Sequence, residues 1–237
     1  MVAAADDHWW YRGRRRIVRV ELETLDLAPG ARLLDAGCGA GQTLDLLSDF
    51  GAATGIDLDG DCVTLATARG HDALVAALPD LPFADGTFDA CTCLDVLEHI
   101  RDDEAAMAEL GRVTAPGGAL VATVPAYEAL WSAHDVANEH VRRYRARMLR
   151  PLAENTGWRI ERLTYFNSVL LAPAALVRLA GRLRRRPRAP EHSDLQLTPV
   201  SLNGALELPL RFEAALLRSG GRLPAGLSLL AVMSRRG

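Results

Sequence analysis

The segment Asp35-Ala36-Gly37-Cys38-Gly39-Ala40-Gly41-Gln42 ends an apolar run, residues 31–36, with three glycines at alternate positions. The run reads as a strand and the glycines as a sharp turn whose backbone can approach a ligand closely. Open parallel sheets bind their ligands at this edge, where strands end and loops begin. A dinucleotide fingerprint would put its third glycine at Gln42, but here it falls one residue earlier, at Gly41, and an acid opens the motif. That spacing argues against a nicotinamide oxidoreductase. A second apolar run, residues 52–58, contains Gly55-Ile56-Asp57 at its end, and a carboxylate there can accept both hydroxyls of a ribose.

Outward from this turn, apolar runs alternate with helix-period segments, the pattern of a parallel sheet covered by helices. Further strands are expected at 72–77, 88–94, 119–124, 158–164 and 227–233, and helices at 42–50, 61–69, 103–113 and 146–156. The expected fold class is α/β: a Rossmann-like, doubly wound, seven-stranded sheet, mostly parallel with an antiparallel last strand. Some sixty residues separate the last two strands, too many for a structureless loop, so a helical cap is expected there. The single domain (1–237) then divides into an N-terminal helical lid (1–30), a cofactor-binding core (31–164), the inserted cap (165–226) and a closing strand with the C-terminus (227–237).

The 237 residues are 49% hydrophobic and 24% charged, with net charge −3, which excludes a mainly disordered chain. No apolar stretch is long enough for a spanning helix, and residues 1–16 lack the form of a signal peptide, so a cytoplasmic location is expected. The four cysteines lie beside strand-like runs and read as buried thiols. All basic residues are arginines, and they are unevenly spread: residues 138–190 hold thirteen arginines against three acids. Such a region suits an anionic acceptor or peripheral contact with a membrane, and residues 167–186 have the apolar start and basic end of an interfacial helix. Nucleic acid is disfavoured, because no aromatic residue interleaves the arginines between 178 and 188.

The acid-Gly-x-Gly-x-Gly motif with Asp57 resembles the class I S-adenosylmethionine-dependent methyltransferases. Leu81-Pro82-Phe83-Ala84-Asp85-Gly86-Thr87-Phe88-Asp89, Leu94-Asp95-Val96-Leu97-Glu98-His99 and Leu110-Gly111-Arg112-Val113-Thr114-Ala115-Pro116-Gly117-Gly118 match that family's later motifs in order and spacing. The flanking His8-Trp9-Trp10-Tyr11-Arg12-Gly13-Arg14-Arg15 and Leu130-Trp131-Ser132-Ala133-His134-Asp135 are similar to a bacterial subgroup of the methyltransferase 11 type. The resemblance implies S-adenosyl-L-methionine as cofactor. Asp35 and the loop of Gly37, Cys38, Gly39 and Gly41 would seat its methionine part, Asp57 its ribose, and Leu58 its adenine, with Leu94 at the same edge. Relatives carry an acid for the adenine amine where this chain has Ala77, so backbone groups at Ala77 and Leu78, or Asp80, must serve instead.

Methyl transfer needs alignment of acceptor and methyl in a dry site, and a base only where the acceptor must lose a proton. The candidate groups are His99 beyond the fourth strand and Tyr127, His134 and His140 beyond the fifth. Asp95, Glu98 and His99 would share one face of a helix, and they resemble the metal motif of small-RNA 2'-O-methyltransferases and ubiquinone-pathway O-methyltransferases. With His140 they could hold magnesium or another divalent ion. The expected acceptor is a small molecule methylated on oxygen or nitrogen; the competing acceptor is RNA or a lipid-linked molecule recruited by the arginine-rich segment. Oligomeric state is not legible in the sequence.

Overall fold

The computed structural model describes residues 8–183 and 203–236. Seven strands form one sheet: β1 Arg32–Ala36, β2 Ala52–Asp57, β3 Asp72–Val75, β4 Phe88–Leu94, β5 Thr114–Pro125, β6 Trp158–Phe166 and β7 Ser228–Arg235. Their order is β3-β2-β1-β4-β5-β7-β6. Strands β1 to β5 are mutually parallel, and β7 pairs antiparallel with both β5 and β6. The order reverses between β1 and β4, so a crevice opens beyond Ala36 and Leu94 at the switch point.

The helices are α1 Trp9–Leu22, α2 Gln42–Leu47, α3 Gly60–Ala68, α4 Asp103–Val113, α5 Ala133–Ala137, α6 Ala146–Asn155, α7 Leu171–Leu183 and α8 Asn203–Arg218. Side chains alternate along the central strands because the strand period is two. Leu120, Ala122, Leu229 and Ala231 pack on one face with Met107 and Leu110 of α4 and Leu149 of α6. Val121, Leu230 and Val232 face the other way, onto Ile17 and Val18 of α1, Leu44 of α2, and Leu210 and Leu217 of α8. Gly13 permits the α1–α8 contact, since a Cβ there would lie 2.1 Å from Leu210 Cδ1.

Several boundaries differ from the sequence expectation. Helix α2 stops at Leu47, not residue 50, where the Ser48 hydroxyl bonds the Leu44 carbonyl. Strand β5 begins at Thr114, five residues early, because Thr114 pairs with Phe88 before the glycine-containing irregularity. Strand β3 ends at Val75, and Ala77 instead bridges Asp80 in a turn. No helix starts at Asp95: it has φ +57°, and only a single 3₁₀ turn follows at Leu97–His99.

The insertion between β6 and β7 leaves and re-enters at the ligand edge, since Phe166, Ser228 and Pro125 share one register. Helix α7 stays near that edge, with Arg178 donating to the Leu130 carbonyl at 2.9 Å. Helix α8 packs beside α1 on a sheet face. Residues 184–202 of the expected cap, residues 1–7 of the expected lid and residue 237 lie outside the described residues. Among the described residues no helix is long and apolar enough to cross a membrane.

Candidate functional site

The glycine turn is fastened from both sides. Gly37 and Cys38 both donate their N–H to the Ile56 carbonyl, at 2.8 and 2.9 Å, and Gly39 N–H donates to Asp57 Oδ2 at 2.8 Å. Gly37 has φ +82°, and a Cβ there would lie 2.3 Å from Val96 Cγ2, so only glycine fits. Gly41, at φ +89°, opens α2. Asp57 Oδ1 accepts the Asp59 N–H at 2.9 Å, which fixes the carboxylate while leaving lone pairs on both oxygens for further donors. Cys38 packs its sulfur against Gly55, and burial pushes its thiol up to about 12. It is a filler of the turn with an inert side chain.

Asp35 is 1% exposed and sits at the bottom of the crevice. Its Oδ1 accepts the Thr92 hydroxyl at 2.6 Å, while Oδ2 is buried with no hydrogen-bond partner. Burial pushes its carboxyl up to about 6, against the opposing effects of Thr92 and Arg14. A buried acceptor without a donor costs about 1–3 kcal/mol, and a bound cationic donor would remove that cost.

On the β2–β3 side, Leu58 is 77% and Val75 59% exposed. Two large apolar side chains standing in water at adjoining strand ends make one wall of an open slot. Ala77 and Leu78 are half-buried beside it, and Asp80 is exposed. Leu94 is buried; its carbonyl faces the crevice and accepts Arg14 Nη1 at 3.4 Å.

Arg14 was not singled out by sequence reasoning. It arrives from α1, 81 residues away from its main partner, and pairs with Asp95 Oδ2 at 2.5 Å. Its Nε is buried and has no hydrogen-bond partner. The only sequence signal was the run of arginines, which does not say which one turns inward. Trp10, also on α1, stacks on Phe166 with centroids 5.6 Å apart.

The far side of the crevice joins the segments that follow β4 and β5. Asp135 is fully buried and accepts from Arg143 through Nε at 2.6 Å and Nη2 at 2.9 Å, from Ser132 N–H at 2.7 Å, and bonds His140 Nδ1 at 2.9 Å. Burial alone would raise Asp135; His140 and Arg143 outweigh it and hold its carboxyl well below the usual range. His140 is therefore oriented, with Nε2 directed away from Asp135. Its ring meets His99 edge-on at 4.7 Å and His134 at 5.9 Å. Burial, then the neighbouring His140, lowers the His99 pKa. Tyr127 stacks on Tyr165 at 5.3 Å, and burial pushes its phenol up to about 12, so it is a hydrogen-bonding wall and a poor base. Asp135 and Arg143 escaped sequence reasoning as an orienting pair because their partnership is made by a turn, not by helical spacing.

The expected four-ligand metal set is corrected. Asp95 is committed to Arg14 and accepts the Thr123 hydroxyl at 3.1 Å. Its left-handed backbone removes it from the face shared with Glu98 and His99. Glu98, His99 and His140 do converge, with ligand atoms all within 4.8 Å of one another, and Glu98 Oε2 is buried without a hydrogen-bond partner. Burial, reinforced by Asp95, drives the Glu98 carboxyl well above its usual range. The four described non-glycine residues with positive φ, Asp95, Tyr127, Glu139 and Asn167, all lie on segments following β4, β5 or β6 at this edge. Backbone strain of this kind collects at functional sites.

Residues 34–122 match the family model described as a methyltransferase domain. The chain is 31% identical over 163 residues to a Mycolicibacterium smegmatis protein named as an S-adenosylmethionine-dependent methyltransferase, covering 66% of this chain and 62% of that one. It is 40% identical over 104 residues to the ubiquinone biosynthesis O-methyltransferase of Xanthomonas oryzae, covering 40% and 43%. The matched stretch thus spans less than two thirds of either relative. Among solved structures, the S-adenosylmethionine-dependent methyltransferase of Mesorhizobium loti superposes with TM-score 0.60 at 16% identity, covering 98% of this chain and 100% of that one. At that identity the likeness concerns the fold.

Proposed function

We propose that the chain, whose residues 34–122 match the methyltransferase domain model, transfers a methyl group from S-adenosylmethionine to an oxygen or nitrogen of a small acceptor. The observation that carries this reading is the crevice at the switch point, where Asp35 keeps an unpartnered buried oxygen beside a glycine turn pinned to Asp57. The residues fit the cofactor part by part. Asp35 suits its ammonium, Arg14 its carboxylate, Asp57 its two ribose hydroxyls, and the exposed Leu58 and Val75 its adenine. The cofactor supplies a methyl group on a positively charged sulfur. The chain's work is alignment and exclusion of water.

A hydroxyl acceptor is favoured by the Asp135–His140 pair. His140 Nε2 can take the acceptor's proton, while Asp135, held by Arg143, keeps the imidazole in one tautomer and offsets the charge it gains. The name of the Xanthomonas relative, an O-methyltransferase, agrees with that preference. A second reading rests on the convergence of Glu98, His99 and His140: those three atoms would hold a divalent ion that lowers the pKa of the acceptor hydroxyl. Activity that survives a chelator, with loss in His140→Ala, selects the base; activity lost to chelator and restored by magnesium selects the ion.

Asp35→Asn tests the proposal itself. It keeps the shape and the Thr92 contact but removes the charge opposite the ammonium. Calorimetry should show affinity for S-adenosylhomocysteine falling by roughly 1.5–3 kcal/mol, the worth of a hydrogen bond to a charged group. Unchanged affinity would take Asp35 out of the site.

A further inference from the structure

The end of the sheet opposite the cleft holds a pocket of about 320 Å³ lined by Gly117, Arg159, Ser234, Arg235 and Arg236. Strand register brings these residues together. Ser234, near the end of β7, is paired with Ala119 of β5 on one side and Arg159 of β6 on the other, and residues directly across an antiparallel pair project on the same side of the sheet. Strand β7 starts at the ligand edge with Ser228, so the run from Ser228 to Ser234 sets the pocket about 20 Å from the cleft. Nothing lies within 4 Å of where a Gly117 Cβ would stand, which leaves the β5 side of the pocket open.

The guanidinium groups are held in place but only partly neutralised. Arg159 Nε donates to Glu161 Oε1 at 2.7 Å, and the Ser234 hydroxyl donates to the same oxygen at 2.6 Å. Arg235 Nη1 donates to the carbonyls of Arg112 and Thr114, which carry no charge. Arg236 is anchored through its backbone N–H, which donates to the Gly157 carbonyl at 2.9 Å, and its side chain is exposed. Among the described residues, Glu161 is the acid paired with Arg159, and none pairs with Arg235 or Arg236. Three arginines against one acid leave two positive charges around one small pocket. Each guanidinium also keeps N–H donors beyond those used in these bonds.

We infer that this pocket binds the phosphate dianion of a small phosphorylated metabolite. A phosphate monoester carries close to two negative charges at neutral pH, which matches the surplus, and its oxygens suit planar guanidinium forks. The volume is at the small end of ligand pockets, about 300–1,000 Å³, enough for a phosphate and a compact group attached to it. A lone carboxylate would offset only half of the charge. Nucleic acid fits less well, because no aromatic ring lines the pocket for a base to stack on. A membrane surface fits less well, because no large apolar side chain lines it either. The inference is independent of the methyl-transfer reading, since no lining residue belongs to the cofactor cleft.

Calorimetric titration of the full chain with ribose 5-phosphate, pyrophosphate and inorganic phosphate at pH 8 and constant ionic strength tests this. Ribose 5-phosphate should bind saturably, one to one, and raise the melting temperature. Its binding should weaken about tenfold at pH 5, where the monoester is mostly a monoanion. The double substitution Arg159→Gln, Arg236→Gln changes two exposed side chains. It should weaken ribose 5-phosphate at least about tenfold, with S-adenosylhomocysteine affinity unchanged. Should that variant fold poorly, Arg236→Gln alone gives the second reading, with a loss of at least about fivefold. The inference is overturned if none of the three phosphates binds saturably, if affinity is unchanged in these variants, or if acetate binds as tightly as ribose 5-phosphate. It is equally overturned if a single-stranded RNA oligonucleotide binds more tightly than all three and loses that binding in the same variants.

Discussion

Asp35 should make cofactor affinity depend on pH, with a sign that follows from its burial. Its carboxyl is pushed up to about 6 in the free chain, with Oδ2 buried and unpartnered. The cofactor's ammonium pairs with the ionised form, so below about pH 6 binding must first remove a proton. At pH 5 about one tenth of the chains carry the carboxylate, so affinity for S-adenosylhomocysteine should be about tenfold weaker than at pH 8. Calorimetry at both pH values, repeated in buffers of different ionisation enthalpy, should show protons released on binding at pH 5 and far fewer at pH 8. Asp35→Asn should flatten the dependence, which separates this group from the histidines. The stability of the free chain should move the opposite way. The folded state holds this proton up to about 6, whereas the unfolded chain releases it near 4, so the contribution is full below about pH 4 and is lost as pH rises through 6. Two pH units correspond to about 3 kcal/mol. An affinity for S-adenosylhomocysteine that is flat from pH 5 to 8 in the wild type would refute the placement of the ammonium on Asp35.

Asp57→Ala should weaken S-adenosylhomocysteine by about 1–3 kcal/mol through lost ribose contacts, measured by calorimetry, with an added loss from release of the Gly39 N–H. Arg14→Gln should weaken the cofactor and also lower the melting temperature, because it leaves the largely buried Asp95 without its counter-charge; equal affinity would place the carboxylate elsewhere. Asp135→Asn should cost roughly 3–5 kcal/mol in denaturant unfolding, as it leaves Arg143 buried without its counter-charge. Asp135 has a depressed pKa when folded, so its stabilisation is present above about pH 4 and fades as acid takes pH down through that lowered value. His140→Ala should lower turnover with cofactor affinity preserved, read by product formation beside calorimetry.

Much of the sheet was legible because its signal is local. The run 31–36, the glycine spacing and Asp57 each act within a few residues, and the structure joins them through bonds such as Gly39 N–H to Asp57. Asp95 shows where local reasoning stops. Its spacing to Glu98 and His99 suits a helix, but pairing with Arg14 and Thr123 accompanies a left-handed backbone that no spacing reveals. Arg14 and Asp135 were hidden for a related reason. Each is defined by a partner from a distant segment or an irregular turn, and several similar residues nearby competed for the role. The strand ends slipped where pairing partners decide, as at Thr114 against Phe88.

The central claim is that this crevice takes S-adenosylmethionine, and a paired calorimetric titration of the wild-type chain with S-adenosylhomocysteine and with NADH at pH 8 tests it most directly. The account predicts saturable one-to-one binding of S-adenosylhomocysteine, displaced by S-adenosylmethionine, and no heat with NADH. Binding of NADH with none of S-adenosylhomocysteine would contradict it.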